Sequence, residues 1–201
     1  SRQPPKDADA LILMQDLAAD VLAVITHLDL SDAWVAGHAF GNRVARATAL
    51  IAPDRIKGVI LLAAGGTVQP SKEAAEALKV AFSDVPESDA IDSMRYMVGD
   101  PDNAQAAWDA VKKARSPEIG AMQRQAVLKT PPKEWAALAP GMRTVIVQGT
   151  NDQMAPPANG EQLAKEYPDQ VTLEWIKGGG HLFSIFHNDE TAKAIIKHVQ
   201  S

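Results

Sequence analysis

The chain has 201 residues, 46% of them hydrophobic and 22% charged, enough for one well-buried core and short for a second independent domain. Its formal net charge of −5 argues against nucleic acid or an anionic membrane surface as a partner, and the absence of cysteine excludes disulfides and thiolate metal sites. No apolar run reaches the ~18 residues of a membrane span, and the opening Ser1-Arg2-Gln3-Pro4-Pro5-Lys6 lacks a signal-peptide core, leaving the cytoplasm as the default location.

Ser1 to Asp9 is polar and proline-bearing, which predicts a loop. Leu11, Met14, Leu17, Ala18, Val21, Leu22, Ile25 and Leu28 recur at helical spacing and predict an amphipathic helix of about five turns. Trp34 to Gly37 reads as a short buried strand, and Asn42 to Ala52 as a helix closed by Pro53. Val59 to Ala64 is continuously apolar, as in a strand covered on both faces, and Gly65-Gly66 ends it.

Residues 70–140 carry helical patterns broken at Pro86, Pro101, Pro117 and Pro131-Pro132, with no strand-like run. Strand signals return at Thr144 to Val147, which leads into Gly149-Thr150-Asn151-Asp152. A helix follows from about Pro157 to Tyr167. Val171 to Ile176 alternates with period two and leads into Gly178-Gly179-Gly180-His181. A last helix, starting at Leu182 or at Asn188, runs to Val199. Strands alternating with helices predict an α/β fold with a mostly parallel sheet flanked by helices. Residues 1–69 and 141–201 then form the core, and 70–140 is a helical insertion expected to act as a lid.

The chemistry concentrates at three strand ends, the edge where ligands bind in open parallel sheets. At the first, Gly37-His38-Ala39-Phe40-Gly41 sits between a strand and a helix, the context of a nucleophile elbow, with the glycines expected where the turn leaves no room for a Cβ. Ala39 occupies the position that should hold the nucleophile. Asp152 and His181 follow at the second and third strand ends, in the order nucleophile, acid, histidine. In that arrangement His181 acts as general base, Asp152 orients its imidazole, and the Phe40 backbone N–H serves as one oxyanion donor.

With these three motifs in place, the chain resembles the α/β-hydrolase superfamily. Gly37-His38-Ala39-Phe40-Gly41 resembles the family's Gly-His-Ser-x-Gly. Gly149-Thr150-Asn151-Asp152-Gln153-Met154-Ala155-Pro156 resembles its acid turn, and Gly179-Gly180-His181 its histidine loop. The resemblance covers residues 9–201. It implies a hydrolase cleaving an ester, thioester or related acyl bond of a small molecule, with no cofactor or metal.

Two departures qualify the resemblance. Ala39 cannot attack a carbonyl, so either a serine has been removed or the chain naturally lacks one. The strands that usually precede the elbow are also missing. They would amount to about 60–70 residues and carry the second oxyanion donor, and the strand at 33–37 would be left with an unpaired edge. Ser1-Arg2-Gln3-Pro4-Pro5 resembles the end of a family loop, so an N-terminal fragment on a second chain, cleaved before Ser1, is expected. Ser1 itself, with a free α-amino group beside a hydroxyl, is a candidate N-terminal nucleophile.

Plainer readings stand beside these. Ala39 can be a small residue in the turn of a nucleotide-binding α/β domain. Asp152 can be an Asx-turn or N-cap residue, with Asn151 as a competitor, and His181 a capping residue. His38 packs beside the elbow and, with Met94, Met97, Trp108 and Met122, forms a set of candidate substrate-binding residues; the four apolar ones read more readily as helix core. If alanine is native, His181 and Asp152 can activate water directly, or the chain is a catalytically inactive binder of a small apolar ligand. A dehalogenase or epoxide hydrolase with an aspartate removed at position 39 finds no support in His38 or Phe40.

Overall fold

The computed structural model describes residues 11–81, 83–114 and 116–200, so the predictions for Ser1 to Asp9 lie outside it. Four strands, β1 (Trp34–His38), β2 (Gly58–Leu62), β3 (Thr144–Gly149) and β4 (Val171–Ile176), form one parallel sheet in sequence order. The register pairs Ala36 with Ile60, Leu61 with Ile146, and Ile146 with Leu173. Parallel neighbours require crossovers, and helices supply each one. These are α2 (Phe40–Ile51), then α3 (Lys72–Ala81), α4 (Glu87–Met94), α5 (Ala104–Val111) and α6 (Pro117–Lys129), then α7 (Ala158–Glu166). Helix α1 (Met14–His27) precedes the sheet, and α8 (Phe183–Phe186) and α9 (Asn188–Val199) follow it.

Period-two alternation splits the strand side chains between two cores. Val35, Val59, Leu61, Ile146 and Leu173 pack with Ile25 of α1, Ala45 and Ala49 of α2, and Leu163 of α7. Ile60, Val145, Val147 and Ile176 face the other way, against Phe183, Ala194 and Ile195. The α/β class with a parallel sheet flanked by helices is therefore observed. Among the described residues β1 has β2 as its single sheet neighbour, so its outer edge is unpaired, as expected.

The element boundaries depart from the sequence reading for local reasons. Helix α2 begins two residues before Asn42 because Ala39, at φ 51° and ψ −112°, turns the chain straight into it. Strand β2 stops at Leu62, where Ala63 adopts φ 54° and leaves extended geometry. Helix α1 is shorter than its apolar stripe: Leu11 and Leu28 fall outside it, more than half exposed. The two proposed starts of the last helix both exist, as the short α8 and then α9. Helices α3 to α5 wrap a core of their own, around Ala77, Met94, Ala107 and Trp108.

Candidate active site

Strand β3 delivers its chain into the turn at residues 149–156, and Asp152 there is 2% exposed. Its Oδ1 accepts hydrogen bonds from the Met154 and Ala155 N–H groups at 2.9 and 2.8 Å, and its Oδ2 accepts from Gln148 Nε2 at 3.3 Å. His181 Nδ1 lies 3.0 and 3.1 Å from the two oxygens. A carboxylate only accepts, so Nδ1 carries the hydrogen and Nε2 of a neutral ring is left with a lone pair. The Asx-turn contacts and the pairing with His181 coexist on one carboxylate.

The elbow holds Ala39 in a region that non-glycine residues avoid. Its N–H donates to Leu62 O at 3.0 Å, tying the turn to the end of β2. Phe40 is the first residue of α2, where an N–H finds no acceptor within its own helix, and the positive end of the helix dipole lies at the same place. Gly37 is sterically required: a Cβ there would lie 2.1 Å from Gly41 O. Gly41 corrects the expectation for the second glycine. Among the described residues a Cβ on it meets nothing within 4 Å.

His38 packs beside this turn. Its Nε2 donates to the His181 carbonyl at 2.8 Å, and the two imidazoles are 4.8 Å apart between centroids. Burial, together with the nearby His181, lowers its pKa from 6.5 to about 4, so it is neutral at ordinary pH. Through this contact the residue preceding Ala39 reaches the loop that carries His181.

That loop is gripped by backbone on two sides. A Cβ at Gly180 would lie 2.2 Å from the Val98 carbonyl carbon, one at Gly99 1.7 Å from Gly178 O, and one at Gly149 2.3 Å from Gly179 O. Leu182 N–H donates to Met97 O at 2.9 Å, and Asn151 N–H to Gly179 O at 2.9 Å. Sequence reasoning missed this clamp, and nothing in the glycine at 99 signalled it. Gln148 was missed too, although one amide side chain ending the apolar run Val145-Ile146-Val147 was a visible signal. Fully buried, it accepts from Ala64 N–H and donates to Ala155 O and Asp152, joining the ends of β2 and β3.

The structure does not gather the four apolar candidates into one wall. Met94, Met97 and Trp108 lie in the interior of the α3–α5 core, with Trp108 Nε1 donating to Glu87. Met122 packs in a separate cluster with Met14, Leu17, Phe40 and Trp135. Their burial follows from helix packing. A cleft of about 480 Å³ lies beside the histidine loop, bounded by residues such as Asp100, Asn103, Asn151, Gly178 and His187; Ala39, Asp152 and His181 are not part of its lining.

The sequence matches the model of the alpha/beta hydrolase family over residues 2–194. Comparison with curated proteins gives no match. A serine-to-alanine mutant of a meta-cleavage product hydrolase from Pseudomonas fluorescens IP01 superposes with a TM-score of 0.74 at 18% identity, covering 96% of this chain and 74% of that one. A 2-hydroxy-6-oxo-6-phenylhexa-2,4-dienoate hydrolase from Rhodococcus sp. strain RHA1 gives 0.73 at 19% identity, with the same coverage. A thermophilic esterase from Thermogutta terrifontis gives 0.61 at 22% identity, covering 95% of this chain and 73% of that one. At these identities the likeness is one of fold.

Proposed function

Since the chain belongs to the alpha/beta hydrolase family, we propose that it is a hydrolase of acyl compounds built around Ala39, Asp152 and His181, with alanine standing in the nucleophile position. The observation that carries this reading is the buried Asp152–His181 pair, whose hydrogen-bonding leaves His181 Nε2 as a base. The strained elbow and the start of α2 supply the two other requirements, a presented side chain and an oxyanion donor. The esterase and the dienoate hydrolase among the similar structures fit acyl or related bond cleavage.

With a serine at position 39, Oγ attacks the acyl carbon while His181 Nε2 takes its proton. Asp152 stabilises the imidazolium through Nδ1–H, and the oxyanion meets the Phe40 N–H. The proton then passes to the departing alkoxide or thiolate, and water, deprotonated by the same nitrogen, releases the acid. With alanine there is no covalent intermediate, and the site holds its ligand without this turnover. Helices α3 to α6 serve in this reading as the lid, anchored to the histidine loop at Met97 to Gly99.

The test is Ala39→Ser, assayed on short, uncharged p-nitrophenyl esters. Gain of hydrolysis that His181→Ala abolishes is the expected result; no gain from a folded variant sinks the proposal. A second reading starts from Ala39 as it stands, with the Asp152-backed His181 activating water directly. That reading requires the unaltered chain to turn over substrate and His181→Ala to stop it.

A further inference from the structure

Two arginines on α2, Arg43 and Arg46, have no counter-charge among the described residues. Arg43 lies in the first turn of α2, the helix that Ala39 precedes. Arg46 is 1% exposed. It donates from Nη1 to Ala136 O at 2.9 Å and from Nη2 to Gly65 O at 2.7 Å and Asn42 Oδ1 at 3.5 Å, all neutral acceptors, and its buried Nε has no partner. Arg43 is half-buried and lies over the Trp135 ring, its Cζ 4.8 Å from the centroid. Among the described residues neither guanidinium meets a carboxylate, and Arg43 has no hydrogen-bond acceptor.

The two head groups meet at Gly65, beyond the end of β2 on the same sheet edge as Ala39. Arg46 donates to its carbonyl, and Arg43 Nη2 and Nε lie 3.7 and 3.9 Å from where its Cβ would be. Stacking on Trp135 occupies a face of the Arg43 guanidinium and leaves its N–H edge, the fork that fits a planar carboxylate. Desolvated like charges side by side are unfavourable without an anion, and burial with Arg43 nearby lowers the Arg46 pKa to about 10.

We propose that Arg43, supported from beneath by Arg46 and from the side by Trp135, binds the carboxylate of an acidic substrate in the candidate active site. The role as substrate recognition rests on the Ala39–Asp152–His181 reading; the anion site itself does not. The substrate class is thereby narrowed to acyl compounds that also carry a free carboxylate.

The test is calorimetric titration of the unaltered chain with 4-phenylbutyrate, its neutral amide, and inorganic phosphate. The acid is expected to bind at least about 10-fold tighter than the amide, as a charge-assisted fork should provide, and more weakly as salt rises. Arg43→Met should erase the preference, and Arg43→Lys, which keeps the charge, should retain part of it. Circular dichroism establishes that both variants are folded. The proposal is overturned by acid and amide binding alike, by neither binding at millimolar concentration, or by a folded Arg43→Met that still prefers the acid. Phosphate binding as tightly as the acid overturns the carboxylate assignment. Because binding is read without turnover, a failed Ala39→Ser assay leaves this result to stand by itself.

Discussion

His38→Gln tests whether the neutral histidine beside Ala39 is held as the structure describes. The replacement amide can still donate to the His181 carbonyl and does not titrate. In the folded chain the His38 pKa is lowered from 6.5 to about 4, mainly by burial and also by His181. Unfolding releases it to its ordinary value. Between those limits the unfolded chain binds more protons, so folding stability falls as pH falls. The His38 contribution is fully present above about pH 6.5 and fully lost below about pH 4; the difference between the two pKa values corresponds to about 3 kcal/mol. Urea unfolding of both proteins at several pH values between 7 and 4 isolates it, because titrations common to both cancel. The parent is expected to lose about 3 kcal/mol more than the variant over this range. Parallel stability curves would refute the burial of a neutral imidazole at this position.

Gly99→Ala sets a methyl against the Gly178 carbonyl at 1.7 Å, and both partners are backbone. A loss of about 3 kcal/mol in urea unfolding, with faster amide exchange across residues 178–182, is expected; a loss below about 0.5 kcal/mol contradicts the close approach. Gln148→Leu leaves the Ala64 N–H and Ala155 carbonyl buried without partners, and at ~1–3 kcal/mol each should cost about 3 kcal/mol. A change under about 1 kcal/mol, measured the same way, would mean that other groups take over these hydrogen bonds.

What could be read from the sequence was what repeats or punctuates. Strands β2 and β3 announce themselves as unbroken apolar runs because both faces are covered, and β4 by its alternation. Asp152 and His181 could be paired because each follows a strand and a glycine, so parallel topology alone brings them to one edge. The contacts between distant segments were not legible. Gly99 lies 81 positions before Gly180, and no local pattern marks two backbones that will touch. Met94 and Trp108 show the converse: large apolar residues in a helical segment read alike whether they line a site or fill a core, and the α3–α5 cluster uses them as core. Nothing in the sequence singles out the arginines at 43 and 46 within their helix. That no described carboxylate lies beside them is a property of the assembled fold.

The clamp on the histidine loop has a mechanical consequence. No flexible side chain cushions Val98 and Gly99 from Gly178 and Gly180, so the two segments form a rigid coupling. If His181 is the base of the proposed mechanism, any tilt of the α4–α5 helical pair bears directly on the loop that carries it. On that reading, access to the site and alignment of the base would share one degree of freedom.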